Sequence, residues 1–199
     1  MYKKPGKNNY EKRNNQVNKT ILVVIDGLRS DAVEKASTPA LDFLISTGAS
    51  CMTGRTIEPP LTLPAHFSIF ASLPPHAHGV LTNTGLPDMS AADKSLFAQV
   101  KHHSGSSCAF FSWDHLRNLS LPGNIDFTCS YTLYDVQDLM NLAKKASHHI
   151  VTQKPDFTFV YLEWADIMGH LHNWMSDKYL GAVEACDKAS PREGGEVND

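Results

Sequence analysis

Long apolar runs are missing from this 199-residue chain. No stretch approaches the roughly 18 consecutive apolar residues of a membrane-spanning helix. Its first residues also lack the apolar core of about 7–15 residues that a secretory signal carries. Both absences predict a cytoplasmic protein with no membrane partner. Cysteine is scarce: Cys51, Cys108, Cys129 and Cys186 are scattered, with no C-x-x-C pair. That spacing argues against a zinc knuckle or a disulfide framework and for reduced, buried thiols. Excess charge is small as well. A net charge of −3 exerts no global pull toward nucleic acid or an anionic membrane, so no specific nucleic-acid partner is expected. The remaining composition, 42% hydrophobic and 20% charged, is that of a soluble globular chain long enough for one well-buried core.

The charge is unevenly spread. Residues 1–19 hold Lys3, Lys4, Lys7, Lys12, Arg13 and Lys19 against the single acid Glu11, a local +5 that leaves −8 for the rest. With almost no apolar residues this segment cannot offset its ordering entropy, and it reads as a disordered basic arm. Residues 188–199 are polar and aperiodic and read as a second disordered tail. One folded domain is expected over 20–187.

Within that domain, Thr20-Ile-Leu-Val-Val-Ile25 is a continuous β-branched run, the pattern of a strand buried on both faces. Ser37-Thr38-Pro39 opens a helix that ends before Gly48. Residues 49–57 predict a short strand, and Pro59-Pro60 breaks the chain after it. Thr62 to Ser72 reads as a helix with Pro64 in its first turn, where a missing N–H costs nothing. The segment from Pro74 to Gly79 reads as a loop. Helices are expected over 90–102, 134–151 and 174–186, and strands over 107–112 and 157–163. Strands alternating with helices predict an α/β fold, a largely parallel sheet flanked by helices.

Ligands of α/β sheets gather beyond the carboxyl ends of parallel strands. Asp26-Gly27 follows the first strand there. Its carboxylate either caps the next helix or serves as a hard ligand for a divalent cation, with Gly27 leaving room for approach. Asp166 and His170 follow the last strand and are four residues apart, so one helical face carries both. Carboxylate with imidazole suits zinc, iron or manganese better than magnesium or calcium. Thr62 opens a helix. It is either a simple N-cap or a nucleophile placed where unpaired N–H groups favour a phosphoryl anion. Asn83 is either a turn residue or an amide donor to a phosphoryl oxygen. His66, His76, His78, the His102-His103 and His148-His149 pairs and His172 read as packing or surface residues. Phe111-Ser-Trp-Asp-His115 follows a strand, either lining the site or anchoring a loop.

Taken in order, Val24-Ile-Asp26-Gly-Leu-Arg-Ser-Asp31, Thr38-Pro-Ala-Leu-Asp-Phe-Leu44, Thr62-Leu-Pro-Ala-His66, His78-Gly-Val-Leu-Thr-Asn83 and Asp166-Ile-Met-Gly-His170 resemble the type I phosphodiesterase/nucleotide pyrophosphatase family of the alkaline phosphatase superfamily. The resemblance runs from about residue 20 to residue 187. It implies an alkaline-phosphatase-like fold and two divalent cations, zinc first. Asp26 and Thr62 would bind one cation, and Asp166 and His170 the other. Asn83 would hold the phosphoryl group of the substrate. The implied reaction is hydrolysis of a small-molecule phosphate diester or pyrophosphate through attack by Thr62 and a phosphothreonine intermediate. Sulfatases are set aside because Cys51-Met-Thr-Gly-Arg55 lacks the proline of their Cys-x-Pro-x-Arg segment. Phosphoglycerate mutase-like members are set aside because they carry serine where Thr62 stands.

The chain departs from the family at its far end. No counterpart of the Asp-His-Gly segment or of the later histidine follows Asp187, and three family ligands are therefore missing. The sequence thus predicts a sheet incomplete at its C-terminal side, with a catalytically inactive remnant as the competing reading. A sheet left open in this way predicts self-association through its exposed edge.

Overall fold

The computed structural model describes residues 19–191. The two expected disordered tails lie outside the described residues except at their inner ends, where the structure moves both boundaries. Lys19 forms an ion pair with Asp156 at 2.6 Å and so belongs to the domain. Lys188 and Ala189 complete the last helix.

Among the described residues four strands form one sheet: β1 (Thr20–Ile25), β2 (Ser107–Phe111), β3 (Phe127–Ser130) and β4 (Phe157–Leu162). All pairs are parallel, in the order β1-β4-β2-β3. The helices are α1 (Ser30–Val33), α2 (Pro39–Thr47), α3 (Thr62–Ala71), α4 (Pro75–His78), α5 (Met89–Ala92), α6 (Leu96–His102), α7 (Val136–Gln153), α8 (Trp164–His172) and α9 (Asp177–Ala189), with a 3-10 turn over Asp114–Leu119. Among the described residues no helix is long and apolar enough to cross a membrane.

Side-chain alternation divides the core into two layers. Cys108, Phe110, Val160 and Leu162 face α7, α8 and α9. Ala109, Phe111, Phe157, Phe159 and Tyr161 face α3 and α6. Phe159 sits at the centre of the second layer, edge-on to Phe70 at 4.8 Å. Burying each such ring contributes about 1.5–3 kcal/mol. Every residue of β2 and β4 is buried.

β1 departs from the doubly buried strand its composition predicts. Among the described residues it pairs with β4 alone, with Thr20 and Ile21 exposed and the rest half-buried. Residues 49–57 form no strand. They run as an irregular segment in which residues 51–56 are all exposed, so no apolar face is buried to hold a strand. The helix expected over 90–102 is broken at Asp93–Ser95. Ser95 caps α6 by accepting from Ala98 N at 3.3 Å, a local bond that competes with helix continuation. The helix expected from Trp174 begins at Asp177 instead, capped by Ser176. The expected loop at Pro75–His78 is a single helical turn. Strand β3 had no clear signal, being four residues long and mostly exposed.

α2 starts where Pro39 predicts, but its cap comes from far along the chain. The buried carboxylate of Asp187 on α9 accepts from Ala40 N at 3.0 Å and Leu41 N at 2.8 Å. A cap of this kind is worth about 0.5–2 kcal/mol.

Candidate active site

Asp26 continues the β1–β4 pairing, its N–H donating to Leu162 O at 2.9 Å. Gly27 then turns the chain with φ +70°. The turn presses against the start of α8, so closely that a Cβ on Gly27 would lie 2.7 Å from Asp166 Cα. Asp26 is held at both oxygens. Gly27 N donates to Oδ1 at 2.9 Å, and the Tyr161 hydroxyl donates to Oδ2 at 2.6 Å. Burial first, and then the Asp26 charge, push the Tyr161 phenol far above its ordinary range, so it remains a donor.

Glu163 is the N-cap residue of α8, with Asp166 in the first turn and His170 one turn on. His170 Nε2 lies 3.5 Å from Asp166 Oδ1. Burial and then the Asp26 charge raise the Asp166 carboxyl above the usual range, while His170 opposes the shift. Glu163 is raised by burial, with Asp26 and Asp166 adding to it. Three acids therefore crowd the carboxyl ends of β1 and β4. Gly169 leaves space for Trp174, whose ring would lie 2.3 Å from a Cβ there. The indole meets His170 edge-on at 5.3 Å.

Thr62 is the first residue of α3, and the N-cap position belongs to Leu61. The threonine hydroxyl is therefore not engaged in capping, which removes the simple N-cap reading. Asn83 lies beside this helix start: Leu63 N donates to its Oδ1 at 3.0 Å. Since an N–H needs an acceptor, the amide oxygen faces the helix and the NH2 group is turned away. Two histidines hold this corner. His78 is buried, and Val80 N donates to its Nδ1 at 3.1 Å. Its proton is therefore on Nε2, which donates to Ser68 Oγ at 3.1 Å and ties the Gly79 turn to α3. His66 donates from Nδ1 to Thr62 O at 2.7 Å and sets its ring edge-on against Tyr161 at 5.1 Å.

The sequence-selected residues thus fall into two groups. Asp26, Asp166 and His170 meet at the strand ends, and Thr62 and Asn83 meet at the start of α3. His66 and Tyr161 join the groups. His66 looked like a local packing residue. Tyr161 was missed, although a single hydroxyl in Phe157-Thr-Phe-Val-Tyr161, at the carboxyl end of a buried strand, was a readable signal. Trp113 packs against the α3-side core, in keeping with a loop anchor.

Among the described residues, no three His, Cys, Asp or Glu side chains converge as a metal-sized cluster. Asp166 and His170, 3.5 Å apart, are nonetheless a carboxylate and an imidazole of the kind that can serve a divalent cation together. Half-buried carboxylates repel one another here, and His170 is the basic side chain that offsets Asp166. Mixed oxygen and imidazole donors suit zinc or manganese.

A family model described as type I phosphodiesterase/nucleotide pyrophosphatase matches residues 20–190. The chain is 23% identical to mouse ectonucleotide pyrophosphatase/phosphodiesterase family member 1 over 197 residues, covering 85% of this chain and 21% of that protein. It is 24% identical to bovine member 3, with 84% and 21% covered. Among solved structures, murine ectonucleotide pyrophosphatase/phosphodiesterase 5, as an inactive threonine-to-alanine variant with AMP, superposes with a TM-score of 0.71 at 16% identity, covering 86% of this chain and 50% of that one. Phosphonoacetate hydrolase from Sinorhizobium meliloti with phosphonoformate gives a TM-score of 0.64 at 17% identity, with 86% and 52% covered. The chain spans about a fifth of the length of these curated relatives and about half of these solved chains.

Proposed function

The chain belongs to the type I phosphodiesterase/nucleotide pyrophosphatase family, and from that premise we propose that it is a metal-dependent hydrolase of phosphate diesters or pyrophosphates with Thr62 as its nucleophile. One observation carries the assignment: Leu63 N fixes the Asn83 amide beside Thr62, with its NH2 group turned away from the helix. Such an amide can donate to a phosphoryl oxygen next to the attacking hydroxyl, and preorganised donors of this kind are usually worth about 10²–10³ in rate. The start of α3 adds the partial positive charge of a helix N-terminus.

Asp26 and Thr62 would hold one divalent ion, and Asp166 and His170 the other, with zinc the best match to the donors. When bound, the ions supply the positive charge that lowers the threonine pKa and stabilises the attacking and leaving oxygens. Thr62 Oγ bonds to phosphorus as the leaving oxygen departs, and water then cleaves the phosphothreonine. Asn83 steadies the phosphoryl oxygens in both steps. The inactive threonine-to-alanine variant of the solved relative supports a threonine in this role.

The test is turnover of a chromogenic phosphodiester and the matching monoester with zinc or manganese, beside Thr62→Ala. Metal-dependent cleavage with diester preference, lost in the variant, is the expected result. A folded, zinc-loaded sample without turnover or phosphothreonine would assign the chain to the non-catalytic reading.

A further inference from the structure

Along β4, Phe157, Phe159 and Tyr161 point to the same face and pack into the same core layer. The first two positions are filled by plain phenyl rings. The third, at the carboxyl end of the strand, carries a hydroxyl although only 2% of the residue is exposed. Burying a hydroxyl is unfavourable unless it is hydrogen-bonded, so its partner explains its presence. That partner is Asp26 Oδ2, at 2.6 Å and 135 residues away in sequence. Parallel register sets Tyr161 opposite Val24, and the phenol reaches forward to Asp26, the residue just past the end of β1.

We propose that Tyr161 is a positioning residue for Asp26, a role that rests on the metal-ligand reading above. Gly27 N occupies one lone pair of Oδ1, and the phenol occupies one of Oδ2. A carboxylate has about four such sites, so one on each oxygen is left for a cation while the plane of the group is fixed. The ring also braces His66, which holds the first turn of α3 through Thr62 O. One side chain thereby ties the carboxylate at the strand end to the helix start that carries the nucleophile. Hydrogen-bond partners that orient a metal-ligating group usually change metal affinity by about 10–100-fold when removed.

The experiment is calorimetric zinc titration of the parent protein, Tyr161→Phe, Asp26→Asn and Val24→Ala, with melting temperatures taken metal-free. Tyr161→Phe keeps the ring and removes only the hydroxyl. Val24→Ala loosens the packing opposite Tyr161 and leaves the hydroxyl in place. The expected result is zinc binding about 10–100-fold weaker in Tyr161→Phe, near-parental binding in Val24→Ala and binding lost in Asp26→Asn. Parental affinity in Tyr161→Phe, with Asp26→Asn still impaired, overturns the positioning role alone. Equal losses in Tyr161→Phe and Val24→Ala also overturn it, by reducing the hydroxyl to packing. No zinc uptake by the parent, or parental uptake by Asp26→Asn, removes the ligand assignment of Asp26 itself, and the role of Tyr161 with it.

Discussion

Gly27 and Asp166 meet backbone against backbone: a Cβ on Gly27 would stand 2.7 Å from Asp166 Cα and 2.9 Å from its N. This contact brings the acid that follows β1 together with the acid in the first turn of α8. Glycine is required twice over, by the space and by a φ of +70°. Gly27→Ala should therefore destabilise the protein by about 2–4 kcal/mol, combining backbone strain with a clash that no rotamer relieves. Urea unfolding measures this, and a change under 0.5 kcal/mol would contradict the close packing.

Asn83 has two separable tasks, and substitutions should divide them. Asn83→Asp keeps an acceptor for Leu63 N but presents negative charge to a phosphoryl group. Asn83→Ala removes both. The expectation is near-parental stability for the aspartate variant and a loss of about 1 kcal/mol for alanine. Turnover should fall about 10²–10³-fold in both. Equal activity in Asn83→Asp and the parent would remove the amide from the reaction.

Burial holds the His78 imidazole below its ordinary pKa. The folded state therefore keeps it neutral, while the unfolded chain takes up a proton below about pH 6.5. The unfolded state then binds more protons, so stability is full above that pH and declines as the pH falls further. His66 acts in the same sense. Glu163 and Asp166, raised by burial, act oppositely at lower pH because the folded state protonates them first. The comparison of parent with His78→Asn isolates the histidine. The variant should be less stable at pH 8 and should lose less between pH 7 and pH 5.5. Parallel stability curves would show that His78 does not titrate with unfolding.

Strand β1 offers an apolar edge, with Ile21 39% exposed and no pairing beyond β4 among the described residues. Exposed edges of this kind template association with another chain. We expect concentration-dependent self-association in sedimentation, reduced by Ile21→Lys. A parent protein that sediments as a monomer at every concentration would rule it out.

Much of the fold was legible from local pattern. The β-branched run of β1, the apolar run of β4 and the amphipathic spacing of α7 each report on residues a few positions apart. The Asp-x-x-x-His face of α8 was legible for the same reason. Where local signals compete, pattern alone misleads: Ser95 interrupts an expected helix by capping a new one, and residues 49–57, strand-like in sequence, are irregular and mostly exposed.

The sequence by itself determined an α/β protein, the order of its motifs and the helix start that carries Thr62. Each of these follows from backbone geometry repeating over two to four residues. Tertiary structure alone decided that β1 lies at an edge of the sheet among the described residues, that Asp187 caps α2 through Ala40 N, 147 residues earlier, and that Tyr161 holds Asp26. Those contacts join residues more than a hundred positions apart. No local periodicity encodes them, and they form only once burying both faces of the sheet has set β1 beside β4 and brought α9 against α2.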